Sequence, residues 1–262
     1  MTVQMWNTLT AADFSALKRE STLVVLPSGS TEQHGPHLPV GTDTFIVEEL
    51  IKRIKPQAAD LEMLFLPTLW CTKSNEHEGF TGSVYLQAET LMAVMHDLAA
   101  SIAKSGFKKL ILFNWHGGNS NLLSVLARDI RQRQRLMVFV VDSLWLFDKI
   151  SLESQEFDIH AGRLETSLML AANPEWVKPG PYENLGSDFK RGRLAKSFRG
   201  YQYLIPEGGP VYIGWETADL TEDGVIGNPQ GANVQEGEQF LNQSAAMFAA
   251  IFHEIASFDF QI

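Results

Sequence analysis

Along the chain, short β-branched apolar runs alternate with longer amphipathic ones. Thr22 to Pro27 ("TLVVLP") has the length and composition of a buried strand. Thr44 to Ile54 then takes up helical spacing. Glu62 to Trp70 ("EMLFLPTLW") reads as a second strand, with Pro67 marking its end. From Ala88 to Ser105, Leu91, Met95, Leu98 and Ile102 recur near the helical period and predict a helix. Lys109 to Asn114 ("KLILFN") predicts a strand, Ser120 to Gln134 a helix, and Leu136 to Asp142 ("LMVFVVD") another strand. Leu164 to Ala172 reads as a helix stopped near Asn173 and Pro174. Between Pro179 and Asn233 the periodicity is lost and Gly and Pro are frequent. A long irregular stretch of this kind usually serves a site or an interface. Val234 to Ala256 is a last helix.

Strands separated by helices imply an α/β fold with a mostly parallel sheet covered on both faces. Internal repeats, linkers and low-complexity segments are absent from the sequence, so 1–262 reads as a single domain.

Composition narrows the functional classes. The 262 residues suffice for a sizeable core, and 45% hydrophobic with 20% charged residues is ordinary for a soluble globular protein. The net charge is −10 and the sequence pI about 5.2, which argues against nucleic acid as a partner. The most basic stretch, Lys190 to Arg199, is short and reads as a solvated loop. Cys71 is the one cysteine, so an intrachain disulfide and a cysteine-built zinc site are both excluded. A reducing compartment fits. The N-terminus lacks a secretory pattern, and no apolar run approaches the ~20 residues needed to span a bilayer. The expected location is the cytoplasm, with no membrane partner.

Three segments then carry the chemistry. "LPSGSTEQHGPHLPVGTD" (Leu26 to Asp43) holds Glu32 and His34 two residues apart, so that both address one point if the segment is extended. Asp43 follows at a helix start, where it is either a cap or a ligand; Thr42 fills the cap role equally well. "NWHGGNSN" (Asn114 to Asn121) places His116 after a strand, with Gly117 and Gly118 allowing close approach of the backbone. A phosphate cradle is the natural competitor, but neither G-x-G-x-x-G nor a P-loop pattern is present. "DIHAGRLETSLML" (Asp158 to Leu170) brings His160 before a helix and Glu165 into its first turn. Separately, a surface histidine and a carboxylate favoured by the helix N-terminus account for these two.

Pooled, Glu32, His34, Asp43, His116, His160 and Glu165 suit Zn²⁺ or Mn²⁺. Three carboxylates and two histidines are enough for two ions sharing one carboxylate. Such a pair activates water and polarises a carbonyl, and an uncoordinated sixth group is then free to move protons.

These three segments, with "GVIGNPQGAN" (Gly224 to Asn233), resemble the signature segments of the creatininase (creatinine amidohydrolase) family, in the family's order. The resemblance implies a creatininase-like three-layer α/β/α fold, two metal ions per subunit and a homohexamer. Carried over by motif, Glu32 and His116 hold one ion, His34 the other, and Asp43 bridges them. His160 matches the proton-transferring histidine. Creatininase itself has a glutamate two residues after the histidine matching His116, where this chain has Gly118. The "HGGN" form of the motif implies instead that Glu165 completes the second site. The family's tryptophan-bearing loop before the catalytic histidine is here Ser154 to Asp158, with only Phe157. Both departures weigh against creatinine as the substrate. "KSNEHEGFTGS" (Lys73 to Ser83) aligns with a loop bordering the active site, so Ser74, Glu76 and His77, with Gly117 and Gly118, are expected at the substrate. His37 is expected in a supporting role, and His96 and His253 in packing or on the surface.

The implied activity is hydrolysis of an amide-type C–N bond in a small molecule, a cyclic amide or a formamide. Ring opening of a keto-inositol and non-catalytic binding of a nucleotide or anion are the alternatives.

Overall fold

The computed structural model describes residues 3–143, 158–186, 210–211 and 213–259. Among them, β1 (Gln4–Met5), β2 (Leu23–Ser28), β3 (Met63–Phe65), β4 (Lys109–Asn114) and β5 (Met137–Asp142) form one parallel sheet in the order β1-β3-β2-β4-β5. The helices are α1 (Ala11–Ser15), α2 (Thr42–Gln57), α3 (Ala88–Lys104), α4 (Ser120–Gln134), α5 (Arg163–Ala172), α6 (Thr217–Leu220) and α7 (Val234–Ser257).

The strands are apolar on both faces, and their two-residue period sorts the side chains into two cores. Leu23, Val25, Met63, Phe65, Ile111 and Phe113 point to one face and pack with α2, α5 and α7. Val24, Leu26, Leu64, Leu66, Leu110 and Leu112 point to the other and pack with α3 and α4. The result is three layers, helices over sheet over helices. Phe113 shows how tightly the first core is filled. Its ring meets Phe248 of α7 edge-on at 4.8 Å, and truncating a buried phenylalanine to alanine costs about 3–5 kcal/mol.

The strand order also sets where a ligand can bind. β2 and β4 are adjacent and paired along their whole length, from Leu23 with Lys109 to Ser28 with Asn114. The chain leaves β2 through α2 towards β3 on one side, and leaves β4 through α4 towards β5 on the other. The two loops diverge and leave a crevice beyond the carboxyl ends of the strands, the usual ligand site of an open parallel sheet.

Three elements differ from the periodicity. The expected strand Glu62 to Trp70 pairs regularly only at Met63–Phe65. Pro67 has no N–H to donate, so the chain leaves the ladder and rejoins it where Leu69 N–H donates to Pro27 O at 2.9 Å. α2 begins at Thr42, and Pro56 is accommodated in its last turn. The edge strand β1 is too short to show a period. The basic stretch Lys190 to Arg199 and Phe157 lie outside the described residues.

Candidate metal centre and active site

The segment after β2 carries Glu32, His34 and Asp43 into the crevice. It is tied back by Glu32 N–H donating to Val40 O at 2.9 Å. At its start, Gly29 lies so near the first turn of α2 that a Cβ there would come within 2.6 Å of the Thr44 backbone. This close approach brings Asp43 over the end of β2. Gly41 occupies the N-cap position of α2, and no side chain caps the helix. Of the two alternatives for Asp43, the cap is excluded. Its carboxylate turns into the crevice, where the Ser30 hydroxyl donates to it at 2.8 Å.

The carboxylate of Asp43 stands between two imidazoles. Oδ2 is 3.0 Å from His116 Nδ1, and Oδ1 is 3.3 Å from His34 Nε2. Glu32 Oε2 lies 3.3 Å from His116 Nδ1, and Glu165 Oε2 lies 3.8 Å from His34 Nε2. The far nitrogen of each ring meets a backbone carbonyl. His116 Nε2 is 2.7 Å from Lys73 O, and His34 Nδ1 is 3.0 Å from Glu32 O. A proton on each far nitrogen leaves a lone pair on each near one, as in metal-binding histidines oriented by an outer carbonyl. Glu32 Oε2 and His34 Nε2 are buried and lack any hydrogen-bond partner. Orphaned buried polar atoms are rare, and these two flank Asp43. The donors fit metal ions: Glu32, His34 and Asp43 offer atoms mutually within 4.8 Å, as do Glu32, Glu76 and His116.

Electrostatics point the same way. Burial opposes charging His34, yet the carboxylates of Asp43, Glu165 and Glu32 raise its pKa to about 10. His116 is likewise disfavoured by burial and raised by Glu32, Asp43 and Glu76. Glu165 is pushed up to about 8, chiefly by burial, with Asp43 adding to the rise. A pocket that draws protons onto buried imidazoles offers the same negative potential to divalent cations. His160 goes the other way. Burial, then the neighbouring His34 and His77, hold it well below its ordinary value, which keeps the ring neutral.

His160 is positioned by pairing with Ile226, donating to Ile226 O at 3.0 Å. Ala161 next to it holds φ +55°, a conformation that costs a non-glycine residue about 1–3 kcal/mol. That turn lets Ala161 N–H donate to Glu165 at 2.6 Å and so fixes the carboxylate. His160 Nδ1 then stands 3.6 Å from Glu32 Oε1.

The structure therefore gathers Glu32, His34, Asp43, His116, His160 and Glu165 at one point. A cavity of about 460 Å³ opens over them, within the range of small-molecule sites. Glu76, His77, Gly117 and Gly118 line it. Ser74 is the exception, and its expected substrate contact is corrected. The side chain is fully buried behind His116, 3.2 Å from Nε2, and is not part of the wall. Gly118 explains how the motif departs from creatininase. A Cβ there would overlap Glu76 Oε1, so the loop carboxylate occupies the space beside His116. His37 contacts Thr166 at 2.9 Å rather than the carboxylates, and His253 pairs with Asp60 at the surface.

Gln33, Lys73, Trp215 and Glu216 escaped the sequence reading. Gln33 sits between two candidate ligands, and that position was the available signal. Trp215 and Glu216 line the cavity from the Gly/Pro-rich region. The wall carries Glu32, Asp43, Glu76, Glu165 and Glu216 against Lys73, a balance hostile to a nucleotide or free anion.

The creatininase family model, described as creatinine amidohydrolase, matches residues 7–252. The chain belongs to the creatininase family. It is a hydrolase, as the family's members are. The mycofactocin precursor peptide peptidase of Mycolicibacterium smegmatis is 30% identical over 222 residues, 84% of this chain and 79% of that protein. Two solved creatininases, a manganese form and a Zn-Zn form of a variant, superpose with TM-scores of 0.70 and 0.71. Each is 22% identical and covers 97% of this chain and 98% of its own, which shows the shared fold.

Proposed function

We propose that this creatininase-family hydrolase cleaves an amide C–N bond of a small substrate at a two-metal centre. Glu32 and His116 would hold one ion and His34 and Glu165 the other, with Asp43 placed to serve both. The observation that carries the reading is Asp43 itself, with one carboxylate oxygen towards the near ring nitrogen of each histidine and the unpartnered Glu32 Oε2 and His34 Nε2 on either side. The manganese and Zn-Zn forms of solved creatininases support the choice of Zn²⁺ or Mn²⁺. When bound, such ions supply Lewis acidity towards the carbonyl and a water acidic enough to attack near neutral pH.

The chain's own residues do the rest. Glu76, Gly117 and Gly118 shape the cavity wall beside His116, and the absence of a Cβ at Gly118 makes room for the Glu76 carboxylate there. Trp215 offers an aromatic surface in the cavity wall. His160, neutral and buried, takes the proton from the attacking water on Nδ1 and returns it to the departing nitrogen. Because His160 is not needed to hold either ion, binding and proton transfer separate by mutation. The single domain, the hexameric assembly and the cytoplasmic setting belong to the same proposal. Among the described residues no helix is long and apolar enough to cross a membrane.

Metal analysis together with a hydrolysis screen of the Zn²⁺- and Mn²⁺-loaded protein tests this reading. The panel comprises cyclic amides, formamides, short peptides and keto-inositols. Turnover of an amide that chelation abolishes and metal restores is the expected result. Turnover of keto-inositols alone would move the chemistry from C–N to C–C cleavage.

A further inference from the structure

Between Glu32 and His34, Gln33 is almost fully buried, and its amide meets Gly35, Gly224, His77 and His160. Its amide has one orientation. Oε1 accepts from Gly35 N–H at 2.9 Å, and Nε2 donates to Gly224 O at 3.0 Å. Turning the amide over would set an NH₂ against an N–H and an oxygen against a carbonyl. Nε2 has a second hydrogen, and two ring nitrogens lie within reach: His77 Nδ1 at 2.9 Å and His160 Nε2 at 3.2 Å.

The backbone decides between them. His160 Nε2 is 2.6 Å from the carbonyl oxygen of Gln33, a separation that requires a proton on that nitrogen. Carrying a hydrogen, Nε2 cannot accept one from the amide. The second amide hydrogen therefore goes to His77 Nδ1, which must be bare, and the proton of His77 resides on Nε2. That N–H faces Glu32 Oε1 at 3.4 Å, while the bare Nδ1 of His160 faces the same oxygen at 3.6 Å. The Thr217 hydroxyl, 3.1 Å from His77 Nδ1, is compatible with this arrangement as a second donor.

We propose that Gln33 is a positioning residue that sets opposite tautomers in two neighbouring histidines, so that His77 presents an N–H to the site and His160 a lone pair. The functional consequence rests on His160 as the proton carrier. With Nε2 committed to the Gln33 backbone, the only basic position of His160 is the one aimed into the cavity. The inference also settles a competing possibility. Glu32, His77 and His160 offer donor atoms mutually within 4.8 Å, the spacing of a further metal site. A proton on His77 Nε2 denies that site its third ligand, so His77 presents an N–H towards Glu32 and is not a ligand.

The test is ¹⁵N solid-state NMR of the Zn²⁺-loaded enzyme labelled at histidine, with His77→Asn and His160→Asn used to assign the resonances. In the wild type, His77 should show a bare Nδ1 and a protonated Nε2, and His160 a bare Nδ1. Gln33→Glu replaces the donor by an acceptor and should move the His77 proton to Nδ1. Gln33→Met, of similar volume and without a donor, should give a mixture of His77 tautomers. Both variants should keep their zinc and lose about 10–100-fold in kcat. A bare or zinc-bound Nε2 on His77 in the wild type overturns the proposal. So do unchanged His77 tautomers in both folded variants. Full activity in His160→Asn would overturn the proton-carrier role alone, since the ring-nitrogen assignments are read without turnover.

Discussion

The two sides of Asp43 are built differently. Glu32 and His116 come from the loops after β2 and β4, neighbouring strands paired residue for residue. Their side chains are 2% and 4% exposed, and His116 is braced by Lys73 O and Ser74. Glu165, on the other side, rides on α5, which lies outside the sheet. Its side chain is 16% exposed and stands 3.8 Å from His34. α5 is held to α7 by side chains, with Ser167 Oγ donating to Glu236 at 3.2 Å and accepting from Asn233 N–H at 3.1 Å. One half of the site is thus fixed by the hydrogen-bonded sheet. The other depends on how a helix docks, and we expect its ion to leave first under chelation.

Asp43 serves both halves, so its loss should erase the contrast. Asp43→Ala is expected to purify without either ion and with background activity, measured by metal analysis and turnover on one sample. Retention of one ion would show that the halves stand independently. His160→Asn touches neither half and should keep both ions while kcat falls about 10²–10⁴-fold, roughly 3–5 kcal/mol of barrier. Loss of an ion would make His160 a ligand.

Gly118→Ala probes the sheet-built half alone. The added Cβ displaces Glu76 and presses on His116 Nε2 and Lys73 O, which lies 2.8 Å from the added atom. We expect about a 10–100-fold loss in affinity for one ion, with the Glu165 side unchanged in a metal titration.

The smallest effect is on stability. In the metal-free protein His34 is raised to about 10 and Glu165 to about 8. Both pKa values are raised by folding, so each contribution is complete below the unfolded value and is lost as pH climbs through the folded one. The window therefore runs from the acid side through pH 8 for Glu165 and from about pH 6.5 to 10 for His34. The melting temperature of the chelated protein should fall by several degrees between pH 6.5 and 10. With ions bound the decline should flatten, because metal has replaced the protons. Equal slopes in the two forms would contradict this.

How much of this was legible beforehand follows the same division. The β-branched runs of β2, β4 and β5 are long enough to show their period, and the sheet they form sets the crevice. β1 has two residues and β3 three, too few for any pattern. Glu32, His34 and His116 stood out because ligand side chains sat beside glycine turns at strand ends. Asp43 is ambiguous alone, since an aspartate at a helix start is a common cap; the close approach of Gly29 to α2 and the contacts with Ser30, His34 and His116 show where it points. Gln33 is marked in the sequence only by its place between Glu32 and His34, and its role exists only where Gly35, Gly224, His77 and His160 converge. Ser74 was misplaced because sequence adjacency to Glu76 says nothing about which face of the loop is buried.

The central claim is a pair of ions bridged by Asp43, one in each half. Metal content per chain in the wild type and in Glu165→Gln, measured by mass spectrometry of zinc-loaded protein, tests it most directly. The account predicts two ions in the wild type and one in the variant. A single ion in the wild type, or two undiminished in Glu165→Gln, would contradict it.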